Sequence, residues 1–198
     1  MRWVTKIFHQ ITNFKRRRQK DLYIGEDVEF INKGTVITAG AAIGSIENIS
    51  VKIANKSTRS YFHNTGIVNL GKNVRIHKGL GIIVSGRFFI GDNSYINPDC
   101  IIVCHNTISI GNDCAISWNV TIMDDDLHQI SGSTKADKSI VIEDRVWIGA
   151  GVFITKGVRI GRGSVIAANT VVTKDVPNGV LFAGSPGAVV KRGIEWNL

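Results

Sequence analysis

A histidine behind three consecutive carboxylates, Asp124, Asp125 and Asp126, is the stretch of this sequence best furnished for proton chemistry; the imidazole is His128. Such a group titrates near neutral pH, so it can accept a proton from a hydroxyl as the oxygen attacks. A neighbouring carboxylate or carbonyl can fix its tautomer, and Asp126 is the candidate. The other reactive side chains form no comparable arrangement. Cys100, Cys104 and Cys114 are an odd count in a C-x3-C-x9-C spacing, which suits neither a disulfide framework nor a zinc site. None of them pairs with a histidine in a recognisable nucleophile motif. His63, His77, His105 and His128 lack the spacing of a three-histidine zinc site, so no metal is expected.

The elements that would position these residues are written in a six-residue period. From Ile142 the positions Ile148, Ile154, Ile160, Ile166 and Val172 are all branched aliphatics. Upstream the same slot holds Leu70, Ile76 and Ile82, then Ile90, Ile96 and Ile102, then Ile110, Ile116 and Ile122. Each of these triplets begins 20 residues after the last, which is three hexads with two extra residues at one corner. The pattern predicts an all-β fold, a single-stranded left-handed parallel β-helix, whose stacked coils hydrogen-bond to one another. The fourth residue after each aliphatic is small (Val146, Val152, Val158, Ser164, Thr170, Val176) and reads as a second inward position. Cys100 and Cys114 occupy that slot, with Cys100 expected between Leu80 and Val120. Glycines 71, 91, 111, 149 and 161 follow the aliphatic, where backbone freedom would help a sharp turn. Earlier, Ile24, Phe30 and Val36 keep the hexad, and residues 44–66 lose its phase.

The repeat breaks once in its well-formed part. The next aliphatic of the repeat is due near position 130, but regular hexads resume only at Ile142, so about twelve extra residues leave the prism within 123–141. His128 lies in that insertion. In the 20-residue register His105 sits one coil below Asp125, at the root of the loop.

The [LIV]-G-x4 pattern and the segment AGSPGAVVK, residues 183–191, resemble the hexapeptide-repeat acyltransferases. Within them the chain is most similar to sugar O-acetyltransferases of galactoside, maltose and surface-polysaccharide type, over residues 66–192. The resemblance implies acetyl transfer from acetyl-CoA to a sugar or glycan hydroxyl, with His128 as general base. It also implies Asn97, His105 and Asp126 at the acceptor. For acetyl-CoA it implies Trp147, Ala150 and Ala168 beside the pantetheine arm, Thr173, Lys174 and Lys191 at the adenosine and phosphate end, and Ser185 in the closing segment. The galactoside-type pattern has an acid where this chain has His105, which leaves the acceptor's identity open. Direct transfer in a ternary complex is expected, within a homotrimer whose acceptor clefts lie between subunits. Rival readings are N-acetylation of an amino sugar, a γ-type carbonic anhydrase, and a non-catalytic structural β-helix.

Charge is distributed unevenly. Of the net +8, seven basic residues precede the first acid, Asp21, and the rest of the chain balances 17 basic against 16 acidic residues. A basic tail without a Lys/Arg stripe through the body gives no support to nucleic-acid binding. Trp3, Ile7, Ile11 and Phe14 recur at helical spacing, predicting a short amphipathic helix over residues 1–22. It would cap the first coil or make peripheral contact with an anionic membrane through residues 1–20. The β-helix domain would run 23–192, followed by a tail, 193–198. No apolar run approaches the roughly 20 residues of a membrane span. Lys6 and His9 interrupt the first apolar stretch and no small-residue cleavage site follows, so a cytoplasmic location is expected.

Overall fold

The computed structural model describes residues 60–128 and 138–197, and the backbone of four earlier strands, Leu22–Ile24, Val28–Asn32, Thr35–Thr38 and Ala41–Ile43. The amphipathic segment expected over residues 1–22 lies outside them, apart from Leu22, which opens a strand; so do residues 129–137 of the insertion.

Twenty-two strands form three sheets of nine, seven and six, the faces of a triangular prism. The first face stacks Arg75–Ile76, Tyr95–Ile96, Ala115–Ile116, Trp147–Ile148 and Val165–Ile166. The second stacks Ser60–Asn64, Gly81–Val84, Ile101–Cys104, Thr121–Met123, Phe153–Ile154 and Val171–Val172. The third stacks Ile67–Leu70, Arg87–Ile90, Thr107–Ile110, Ile140–Ile142 and Arg159–Ile160. All these pairings are parallel; the hairpin Val180–Gly184 with Gly187–Arg192 closes the C-terminal end with an antiparallel pair. No helix occurs among the described residues. The architecture is the left-handed parallel β-helix that the repeat predicts.

The period has a simple physical cause. A short flat strand places one aliphatic inward, and the corner places a second, smaller side chain inward before the next strand. Leu70, Ile90, Ile110, Ile142 and Ile160 stack in register on the third face, and all are buried. Burying each such side chain contributes about 1.5–3 kcal/mol. Every small residue of the second slot from Val146 to Val176 is buried as well. Backbone groups are satisfied between coils, as in Tyr95 N–H to Cys114 C=O at 3.0 Å and Asn97 N–H to Ile116 C=O at 2.9 Å.

Two expectations need correction. The segment that loses phase ends earlier than 66: Ser60–Asn64 is a regular strand, with Phe62 inward and paired to Ile82. The glycines after the aliphatics are also misread as turn-formers. Gly71, Gly91 and Gly111 have no left-handed backbone; close approach between coils requires them. A Cβ on Gly91 would lie 2.5 Å from Asn112 Oδ1, because that oxygen accepts the Asp92 N–H at 2.7 Å. The left-handed positions are two residues further on, at Asn73, Asn93, Asp113 and Arg145.

Candidate active site at two corners of the prism

The two extra residues of the upstream coils, and the insertion, both leave the prism at the corner between the second and third faces. There the strand Thr121–Met123 ends and the chain rejoins the third face at Ile140. Asp124 begins the excursion and is fully buried. Its carboxylate accepts the N–H of His105 at 2.7 Å and of Asn106 at 2.8 Å, and its carbonyl accepts Asn106 Nδ2 at 3.3 Å. Asp124 thereby bolts the loop to the coil below. His105 stands at the loop root as the register predicts, exposed, with Nδ1 3.1 Å from Ser85 Oγ.

The remaining acids have separate tasks. Asp125 accepts Lys138 Nζ at 2.9 Å with one oxygen and the Leu127 N–H at 2.9 Å with the other. The lysine hydrogen bond first, and the amide second, hold its carboxyl below the usual range. Asp126 pairs through its carboxylate with Lys156 of the next coil. What faces His128 is the Asp126 backbone carbonyl, 3.2 Å from Nδ1. A carbonyl oxygen only accepts, so Nδ1 is the donor of this contact, on an exposed ring.

A second group of predicted residues lies on the opposite edge of the second face, where first-face strands turn into it. Asn97, Ser117, Gly149 and Ala167 follow the inward aliphatics coil by coil, each N–H bonded to the next coil. Beside them run Pro98, Trp118, Ala150 and Ala168, so the wall carries only small residues towards the C-terminal end. Trp147 is on the first face, with Nε1 donating to Ser117 Oγ at 3.2 Å and its ring 6.0 Å from that of Trp196.

A family model described as bacterial transferase hexapeptide (six repeats) matches residues 139–174. WbbJ of Escherichia coli (strain K12), named for an O-acetyl transferase role in lipopolysaccharide biosynthesis, is 31% identical over 147 residues, covering 67% of this chain and 75% of WbbJ. The chain belongs to the hexapeptide-repeat acyltransferase family. The galactoside O-acetyltransferase of Lactococcus lactis subsp. lactis (strain IL1403) is 40% identical over 130 residues, 63% of this chain. The match spans only 55% of that relative's length. Among solved structures, the polySia-specific acetyltransferase NeuO superposes with a TM-score of 0.57 at 26% identity, covering 91% of this chain and 84% of NeuO.

In this hexapeptide-repeat chain most of the predicted site residues therefore fall into two sets. His105, Asp126, His128, Thr173 and Lys174 share the second–third corner, and Asn97, Ala150 and Ala168 share the first–second corner. Ser185 is at the tip of the terminal hairpin, and Lys191 pairs with Leu181 on the first face, away from Thr173 and Lys174. One chain does not bring these sets together. The second face between them exposes Ile83, Ile101 and Phe153.

The cysteines are all buried. Each thiol donates to a backbone carbonyl: Cys100 to Ser117 at 3.1 Å, Cys104 to Arg87 at 3.2 Å and Cys114 to Glu143 at 3.0 Å. Burial pushes Cys100 and Cys104 up to about 12 and Cys114 to about 11, so none is a thiolate near neutral pH. Among the described residues no three His, Cys, Asp or Glu side chains are grouped to hold a metal ion, and no helix is long and apolar enough to cross a membrane. Sequence reasoning missed Lys138 and Lys156. The register held the signal for Lys156, because pairing of Ile122 with Ile154 sets it beside the loop root.

Proposed function

We propose that this chain is an acetyl-CoA-dependent O-acetyltransferase acting on a sugar hydroxyl in surface-polysaccharide assembly, by direct transfer with His128 as general base. The reading is carried by the exposed His128 ring, whose Nδ1–H is spent on the Asp126 carbonyl, which would leave Nε2 to act as the base. Nε2 takes the hydroxyl proton as the oxygen attacks the thioester carbon; the C–S bond then breaks and the imidazolium returns the proton to the departing sulfur. The inert thiols support transfer without an acyl-enzyme. Ala150 and Ala168 would flank the pantetheine arm with Trp147 and Ser185 nearby, and Thr173, Lys174 and Lys191 would meet the adenosine and phosphates.

The division of these residues between two corners supports a homotrimer. A neighbouring copy would bring one chain's small-residue wall to the next chain's His128, and the apolar side chains of the second face would lie at the contact. Asn97 and His105 would then contact the acceptor from two subunits. The basic segment, residues 1–20, would cap the first coil and could rest against an anionic membrane surface from the cytoplasmic side.

The test is a panel of glycans and amino sugars incubated with acetyl-CoA and read by mass. A hydroxyl-only sugar should gain an acetyl group, and His128→Ala should lower that rate by about 10²–10⁴-fold. Acetylation of amino sugars alone would replace O- by N-transfer. Unchanged transfer by His128→Ala would overturn the assignment of the base.

A further inference from the structure

We infer that Lys156 and Lys138 are positioning residues for the His128 imidazole, acting through a closed ring of contacts around the neck of the loop; this rests on His128 being the base. The chain leaves the prism at Asp124 and Asp125 and returns at Lys138, and the Lys138–Asp125 ion pair ties those two points at 2.9 Å. The Lys138 carbonyl accepts the Gly157 N–H at 3.0 Å, anchoring the returning strand to the coil that carries Lys156. Lys156 then reaches back to the Asp126 carboxylate and completes the circuit. Directly after the two acids the backbone turns sharply: Leu127 has a left-handed φ of 62°, and its N–H is held by Asp125. That turn aims the Asp126 carbonyl at His128 Nδ1. A left-handed leucine is unfavourable and persists only where its surroundings impose it.

Magnitude separates this role from a structural one. The lysine and carboxylate side chains of both pairs are between 22% and 45% exposed, and ion pairs of that kind contribute little to stability. Placement of a base is far more demanding: an error near 1 Å can cost about 100-fold in rate. The ring therefore acts on geometry, and it gives Asp126 a task different from contacting the acceptor. The Asp126 carboxylate is engaged by Lys156, while only its carbonyl touches the histidine.

The decisive measurement is the imidazole ¹⁵N spectrum of full-length protein above the histidine's titration range, with the His128→Ala spectrum assigning the resonance. Wild type should show His128 protonated at Nδ1. Lys156→Met should move it towards the Nε2-protonated form that free imidazoles prefer, and Lys156→Arg should keep the wild-type pattern. With an acceptor from the glycan panel, Lys156→Met and Asp126→Ala should each lower kcat about tenfold or more with KM for acetyl-CoA unchanged, and the double variant should be no worse than either single one. A His128 spectrum unaffected by Lys156→Met overturns the inference. So does a raised acceptor KM in Asp126→Ala alone, which would return Asp126 to the acceptor. If the tautomer shifts as stated but His128→Ala still transfers acetyl groups, the ring stands and the base assignment fails instead.

Discussion

Asp124→Ala should weaken the whole corner. The carboxylate is 0% exposed and receives two backbone N–H groups at 2.7 and 2.8 Å. Hydrogen bonds to a charged acceptor are worth about 1.5–3 kcal/mol each in net stability. The donors belong to His105 and Asn106, both exposed residues, so water can reach them once the side chain is gone. The loss should therefore sit at the low end, about 3 kcal/mol for the pair. For a chain of this size, about 2–4 °C per kcal/mol makes that a fall of about 6–12 °C in the thermal midpoint. Circular dichroism at pH 7 and one fixed protein concentration reads it directly. Asp124→Asn keeps one acceptor oxygen but turns an amide N–H₂ towards the other donor, so it should recover little. A midpoint for Asp124→Ala within about 2 °C of wild type would refute the reasoning and return Asp124 to the solvated role suggested by its sequence neighbours.

Two further outcomes test how the coils pack. Gly111→Ala would bring a Cβ 2.5 Å from Asp144 Oδ1 and 2.6 Å from Asp144 N, and should cost about 1–3 kcal/mol in urea unfolding. Gly81→Ala, with nothing within 4 Å and no left-handed φ, should be neutral or slightly stabilising in the same assay. His77 is buried, its Nε2 has no hydrogen-bond partner among the described residues, and burial first, then Arg75, lowers its pKa. The unfolded chain therefore binds its proton near the usual 6.5 while the folded chain resists, so stability should fall as pH drops below that value. His77→Gln should flatten that part of the pH–stability curve, measured by urea midpoints from pH 7.5 to 5; an unaltered slope would show that His77 takes no part in it.

How far the sequence discloses this fold depends on the range of the forces involved. The inward aliphatics are legible because each must stack on its own counterpart one coil away, so one requirement recurs at every sixth residue. The corners obey an equally regular rule, but its partners belong to different coils. In IGDN and IGND, residues 90–93 and 110–113, the third residue caps the coil before it: Asp92 Oδ1 accepts Lys72 N–H of LGKN, residues 70–73, at 2.8 Å and Asn112 Oδ1 accepts Asp92 N–H. The glycine makes room for that side chain, and the fourth residue takes the left-handed turn that Asn and Asp tolerate best. A glycine viewed within its own coil looks like a turn-former; only stacking shows that it is a gap.

The same rule explains where the pattern breaks. IEDR, residues 142–145, replaces the glycine with Glu143 and the left-handed Asn or Asp with Arg145. Glu143 points to the C-terminal side, pairing with Arg159 and accepting the Arg162 N–H at 2.8 Å. The left-handed Arg145 is compensated from 51 residues away, where Trp196 Nε1 donates to its carbonyl at 2.8 Å and the Trp196 carbonyl accepts Nη2 at 3.4 Å. This coil follows directly on the insertion that carries His128. The loop's grip on Lys138 and Lys156, and the tail's grip on Arg145, thus converge on the coils that resume the prism. Side chains 13, 30 and 51 residues apart make those contacts. No local period announces the partners of Lys138 and Arg145; only Lys156 is foretold, by the register that pairs Ile122 with Ile154.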